Sequence, residues 1–200
     1  MSFHKFSDEF EHWITNDKNK TLGELIDIFG PRSFGLIFLM MLSNPSLPFP
    51  TGGITHLVLL PITIITALQL IIGRKSIWLP SKFRNIKLKN KLLSKALPFI
   101  LKRVKWVEKY TRPRLKNVLN HKLSRSFLGL AVLVCAMGAF VSPPFSGLDT
   151  LPSMGGVLIA LAIIFEDFAI AVIGLLVGIL GISVIIGASS AVIFFIKSIF

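Results

Sequence analysis

Charge is what this 200-residue chain has least of. Only 16% of its residues are charged against 52% hydrophobic, and the mean hydropathy is +0.72. Soluble domains carry roughly 25% charged residues. So little charge cannot cover a water-facing surface, which excludes an ordinary cytosolic enzyme and equally a disordered or collagen-like chain. Cysteine is nearly absent: Cys135 stands alone, so neither an internal disulfide framework nor a multi-cysteine zinc site can form. The four histidines, His4, His12, His56 and His121, are scattered without metal-ligand spacing. No phosphate-cradling P-loop and no GxSxG elbow occurs. The expectation is therefore no catalytic residue, no metal and no cofactor. What is present is apolar sequence in long runs, at a length that allows one domain or two small ones. The chain reads as an integral membrane protein.

Its few charges are unevenly placed. Residues 74–125 hold 17 of the 22 Lys and Arg and a single acid, Glu108, whereas residues 1–33 hold four cations and six acids. Short Lys- and Arg-rich segments beside apolar runs stay cytoplasmic, so 74–125 is placed in the cytoplasm, with the chain multi-pass in the membrane. Interleaved apolar residues at helical spacing predict two amphipathic helices, around 85–97 and 98–110, the second opened by Pro98. The basic segment suits anionic lipid headgroups, at about 1 kcal/mol per nearby cation, and nucleic acid is not the expected partner. The start of the chain reads as having no secretory signal. Thr21, with Glu24 three residues on, predicts a capped short helix over 21–29.

The apolar runs are interrupted. A helix crossing the hydrocarbon needs about 20 apolar residues. Residues 54–73 meet this, with a kink expected at Pro61, but 34–42 rise only about half the core. They are followed by Pro45, Pro48, Pro50 and Gly52-Gly53, which forbid a continuous helix. The second region repeats the pattern: an uncharged run at 126–142, a break through Pro143, Pro144, Pro152 and Gly155-Gly156, and a short leg at 157–165. The last run, 168–196, is expected to be tilted or bent near Gly187. Arg32-Ser33-Phe34-Gly35 resembles Arg125-Ser126-Phe127-Leu128-Gly129, and Pro50-Thr51-Gly52-Gly53 resembles Pro152-Ser153-Met154-Gly155-Gly156, with ten extra residues in the second interval. The expected architecture is all-α and membrane-embedded. Two repeat-like halves, each a Pro/Gly-broken re-entrant or discontinuous hairpin, are joined by the basic segment. Five units follow: 1–33, 34–73, 74–125, 126–167 and 168–200. Parallel and inverted repeats both fit.

Irregular backbone at membrane depth survives only where protein or water satisfies it, and matching broken segments in two halves point to a transporter-like site. Helix starts near Arg32 and just after Gly52-Gly53 or Gly155-Gly156 would aim positive dipole ends into the break region. The pathway candidates are Arg32, Ser33, Asn44, Pro48, Pro50, Gln69, Arg125, Pro144, Asp149, Pro152, Glu166 and Asp167. Within the core Glu166 and Asp167 would be costly and functional; at an interface they would be a solvated turn. Arg32 and Arg125 either meet an acid or anionic substrate or snorkel to headgroups. Gln69 is a helix-bridging amide or a ligand, and Gly174-x-x-x-Gly178 is a packing face or a dimer seam.

The run GPRSFGLIFLMMLSNPSLPFPTGG, then LPITIITALQLIIGRKSIWLP, WVEKYTRPRL and the series SPPF, LP and FED, together resemble the bacterial exopolysaccharide-synthesis ExoD family from about residue 20 to about residue 180. The chain departs from the family pattern at Gly147-Leu148-Asp149 and at Glu166-Asp167-Phe168. The resemblance implies a multi-pass protein of the bacterial inner (cytoplasmic) membrane linked to exopolysaccharide production and supplies no reaction. Three functions remain open. The first is a carrier of a polar or anionic solute or lipid-linked precursor, working as a homodimer. The second is a non-transporting scaffold or regulator of polysaccharide-synthesis components. The third is an enzyme using Glu166, Asp167, Asp149 and Arg32 on a lipid-linked substrate.

Overall fold

The computed structural model of the chain describes residues 6–16, 21–47, 53, 55–85, 97–109, 121–143 and 146–199. The regular elements among the described residues are all helices, and no strand occurs among them. In chain order the helices are α1 (Phe6–Asn16), α2 (Leu22–Phe29), α3 (Arg32–Leu42), α4 (Leu60–Ile71), α5 (Ser81–Arg84), α6 (Leu97–Glu108), α7 (Lys122–Val141), α8 (Thr150–Phe165) and α9 (Phe168–Ile199). The expected cap is present: Thr21 Oγ1 accepts from the Glu24 amide at 3.2 Å, satisfying a donor that the first turn leaves open. Of the two helices expected in the basic segment, the second appears as α6; residues 86–96, which carry most of the first, lie outside the described residues.

Two hairpins form the core, α3 with α4 and α7 with α8. Gly35 of α3 lies against Ala160 and Ile164 of α8, while Leu42 meets Gly156, so α3 and α8 run antiparallel. Gly129 of α7 abuts Leu70 and Ile71 of α4, and the opposite ends of the same two helices meet where His56 reaches the Ser142 carbonyl at 3.2 Å. Both hairpins therefore start at the same end of the bundle, the end to which the basic segment is attached. This basic end is opposed by a break end, which among the described residues holds 43–47, 55–59, 142–143 and 146–153. Helix α9 lies along α8.

The second half departs from its expected form. Helix α8 starts at Thr150 and runs straight through Pro152 and Gly155-Gly156. Pro152 is its third residue, where an amide would have no intrahelical acceptor in any case. The glycines are tolerated because α9 leans on them: a Cβ on Gly155 would sit 2.6 Å from the Gly178 backbone. Gly174 and Gly178 are thus an internal packing face, one of their two expected uses. Likewise α9 passes Gly187 as one unbroken helix. In the first half, Pro61 sits in the first turn of α4, and the chain just before it widens into a π-helical turn, Thr55–Leu59. Proline removes the bond that would otherwise close a regular turn there.

Helices Lys122–Val141 and Phe168–Ala191 are long and apolar enough to cross a membrane, whereas Arg32–Leu42, Thr55–Ile71 and Thr150–Phe165 are shorter apolar helices. Large apolar side chains point outward on these elements, among them Leu57, Ile65, Phe127, Leu130, Leu176, Ile179 and Leu180. An exterior this greasy is the normal face of a protein in lipid and an unusual one in water.

Candidate functional site

Three charged groups meet at the basic end because each stands at the terminus of a core helix. Arg32 opens α3, Arg125 lies in the first turn of α7, and Glu166 follows the last residue of α8. Together with Pro31, Leu70, Leu128 and Ile163 they line a cavity of about 20 Å³, room for about one water molecule. The Arg32 guanidinium lies 3.6 Å from Glu166 and 3.8 Å from Glu9 of α1, and 5.8 Å from the centre of the Phe6 ring. Glu166, 12% exposed at its side chain, holds the left-handed conformation at φ 54°. That shape, which lets the chain turn from α8 into α9, costs a non-glycine residue about 1 kcal/mol; the ion pair with Arg32 offsets it. Asp167 is buried, and its Oδ1 accepts from the Ala169 amide at 2.9 Å. It is the N-cap of α9, anchoring the helix start with a charge of favourable sign.

The neighbouring candidates hold the end together. Arg125 donates to the Arg74 carbonyl at 2.9 Å and Ser126 to the Ile71 carbonyl at 2.8 Å, so both satisfy backbone at the C-terminus of α4. Gln69 spends both ends of its amide on Trp78, accepting from its N–H at 2.7 Å and donating to its carbonyl at 3.2 Å. The amide thus fastens the loop after α4 rather than bridging two helices. Arg74 lies over the Trp78 ring at 5.8 Å. Ser33 is buried and bonds back to the Gly30 carbonyl. Above them sits α1, whose Phe6 packs on Phe29 and Phe165 at 5.3 and 6.5 Å and whose Ser7 amide bonds Glu108 of α6.

The remaining candidates lie at the other end. Asn44 donates to Thr55 Oγ1 at 3.1 Å, Asp149 is buried just before α8, and Pro152 is buried in its first turn. Pro48, Pro50 and Pro144 lie outside the described residues. Burial pushes the Asp149 carboxyl above the ordinary carboxylate range, against the smaller opposing pulls of its own backbone N–H and of nearby His56. The twelve candidates therefore do not share one hollow. The start of α3 aims its positive end at Glu166, away from the break region, because the first helix begins where the hairpin begins. Glu9 and Phe6 were not foreseen as partners of Arg32, and nothing in the spacing of α1 signals them. Among the described residues no group of three or more His, Cys, Asp or Glu is placed to hold a metal ion.

These features define an all-helical protein with a lipid-suited exterior and a charged, ion-paired end. The profile of the exopolysaccharide synthesis ExoD family matches residues 6–187. The chain belongs to the ExoD family, which ties it to exopolysaccharide synthesis. It is also similar to an uncharacterized protein of Synechocystis sp., 28% identical over 185 residues that cover 88% of this chain and 84% of that protein. No solved structure matches.

Proposed function

We propose that the chain is a multi-pass protein of the bacterial inner membrane that binds or moves a polar or anionic solute, or a lipid-linked precursor of exopolysaccharide, between its two hairpins. The cavity shared by Arg32, Arg125 and Glu166 carries this reading. It gathers one cation from each hairpin, at two helix N-termini, beside an acid that already occupies one of them. An arriving anionic group would exchange with Glu166 for Arg32, helped by the positive ends of α3 and α7. The basic segment joined to this end supports a cytoplasmic side for it. Anionic lipid headgroups and a second copy of the chain are the partners the reading takes, and it takes no catalytic step.

Purified chain in proteoliposomes tests it. Arg32→Ala should abolish both binding and uptake of labelled precursor, and Glu166→Gln should abolish uptake while binding persists, because no carboxylate is left to displace the anion from Arg32; expression and helical content stay intact in both. The small size of the cavity favours a second reading, a non-transporting scaffold. In that case these changes are mild, and neutralising Lys82, Arg84, Lys87 and Lys89 instead disrupts recruitment of polysaccharide-synthesis components.

A further inference from the structure

The break end holds a second polar set that the Arg32 cluster does not use. Residues 43–59 contain one titratable side chain, His56, and residues 136–160 contain one, Asp149. Between Phe168 and Ile196, α9 contains none. The fold brings these two to one level of the bundle: His56 reaches the Ser142 carbonyl, and Asp149 stands three residues before Pro152, which packs against Gly138 one turn before Ser142. The other charged residues of the packed core helices, Arg32, Lys122, Arg125 and Glu166, sit at the basic end. Asp149 is 6% exposed.

The ring's bonding is informative. His56 Nε2 lies 3.2 Å from the Ser142 carbonyl oxygen. A carbonyl only accepts, so Nε2 carries the hydrogen, and the lone pair of the neutral ring is left on Nδ1. That Nδ1 is buried without a hydrogen-bond partner. So is the Oγ of Ser153, one turn beyond Asp149 on α8, in a fully buried residue. Unmet polar atoms are costly in apolar surroundings, and both lie at the break end, where each hairpin offers a titratable group.

We propose that His56 and Asp149 form a proton-binding site between the two hairpins. The proton arrives from water and is held at His56 Nδ1 or on the Asp149 carboxylate; no other bond forms or breaks. On Nδ1 it makes an imidazolium beside a carboxylate. On Asp149 it removes an anion from an apolar setting. The site does not depend on what binds at Arg32.

Infrared pH titration of the full chain in lipid vesicles, between about pH 4 and 8, tests this. A protonated-carboxyl stretch should grow in on acidification of the wild type and be missing from Asp149→Asn. In His56→Gln it should titrate at higher pH by about half a unit or more, about threefold tighter proton binding, because the competing cation is gone. An unchanged midpoint in His56→Gln overturns the proposal, as does a wild-type spectrum that Asp149→Asn leaves unaltered. Should Asp149→Asn fail to fold, wild type against His56→Gln decides alone.

Discussion

The two hairpins run the same way, and the sequence of each carries a glycine pair next to proline, yet Gly53 and Gly155 have different surroundings. Gly53 meets only the tip of Leu57, at 4.0 Å, and lies before the π-helical turn. Gly155 is in the middle of a regular helix because the backbone of Gly178 presses within 2.6 Å of where its Cβ would be. With a neighbouring helix in contact, the missing side chain becomes the reason for two backbones to approach. Proline follows the same logic. Pro152 falls in the first turn of α8, where its lost donor is harmless, whereas Pro61 is preceded by a widened turn.

The sharpest way to break this comparison is to give both glycines a side chain. Gly155→Leu, or Gly174→Leu from the other side, drives carbon into backbone that has no flexible tip to yield. We expect a loss of about 3 kcal/mol or more, or failure to fold. Gly53→Ala should stay within about 0.5 kcal/mol. Thermal unfolding in detergent, followed by circular dichroism, measures both. Equal effects at the two positions would mean that the close contact between α8 and α9 does not hold the second hairpin.

How far the sequence announces this arrangement depends on where the controlling interaction lies. The starts of α3 and α7 near Arg32 and Arg125 are legible, since a cation marks the end of each apolar run. The Thr21 cap is legible because its partner is three residues away. The start of α8 is not: what overrides the breakers at residues 152–156 sits more than twenty residues further on, in α9. The charged cluster is half legible. Arg32, Arg125 and Glu166 stand out in a chain with few charges, but that they line one cavity, and that Asp149 and Asn44 belong to the opposite end, follows only from helix direction. His56 is the clearest omission. A lone histidine in an apolar run has no periodic signal, and its meaning comes from Ser142 and Asp149, both far along the chain.

A smaller effect sharpens the comparison between the two neighbouring acids at the basic end. Glu166 and Asp167 are adjacent, but one reaches across to Arg32 while the other closes its own helix. Asp167→Ala removes the N-cap of α9 and should cost about 1 to 2 kcal/mol of stability. Glu166→Gln keeps the chain's path and should cost less stability, while abolishing uptake, since the group that displaces the ligand from Arg32 is gone. Melting curves beside the proteoliposome assay separate the two. If both substitutions lowered stability and uptake alike, the division of labour between these acids would be wrong.

The smallest expected effect concerns a glycine with no neighbour at all. Gly187 lies in α9 with nothing within 4 Å of the place a Cβ would take, in contrast to Gly174, Gly178 and Gly181 earlier in the same helix. A glycine that neither packs nor turns only adds freedom to the unfolded chain. Gly187→Ala should therefore raise stability by a few tenths to about 1 kcal/mol. Gly181→Ala should lower it, since its Cβ would lie 2.5 Å from the Pro152 nitrogen. A loss at Gly187 comparable to that at Gly181 would mean that α9 bends there in the working protein. The upper part of that helix would then be a moving element rather than a straight continuation of the bundle.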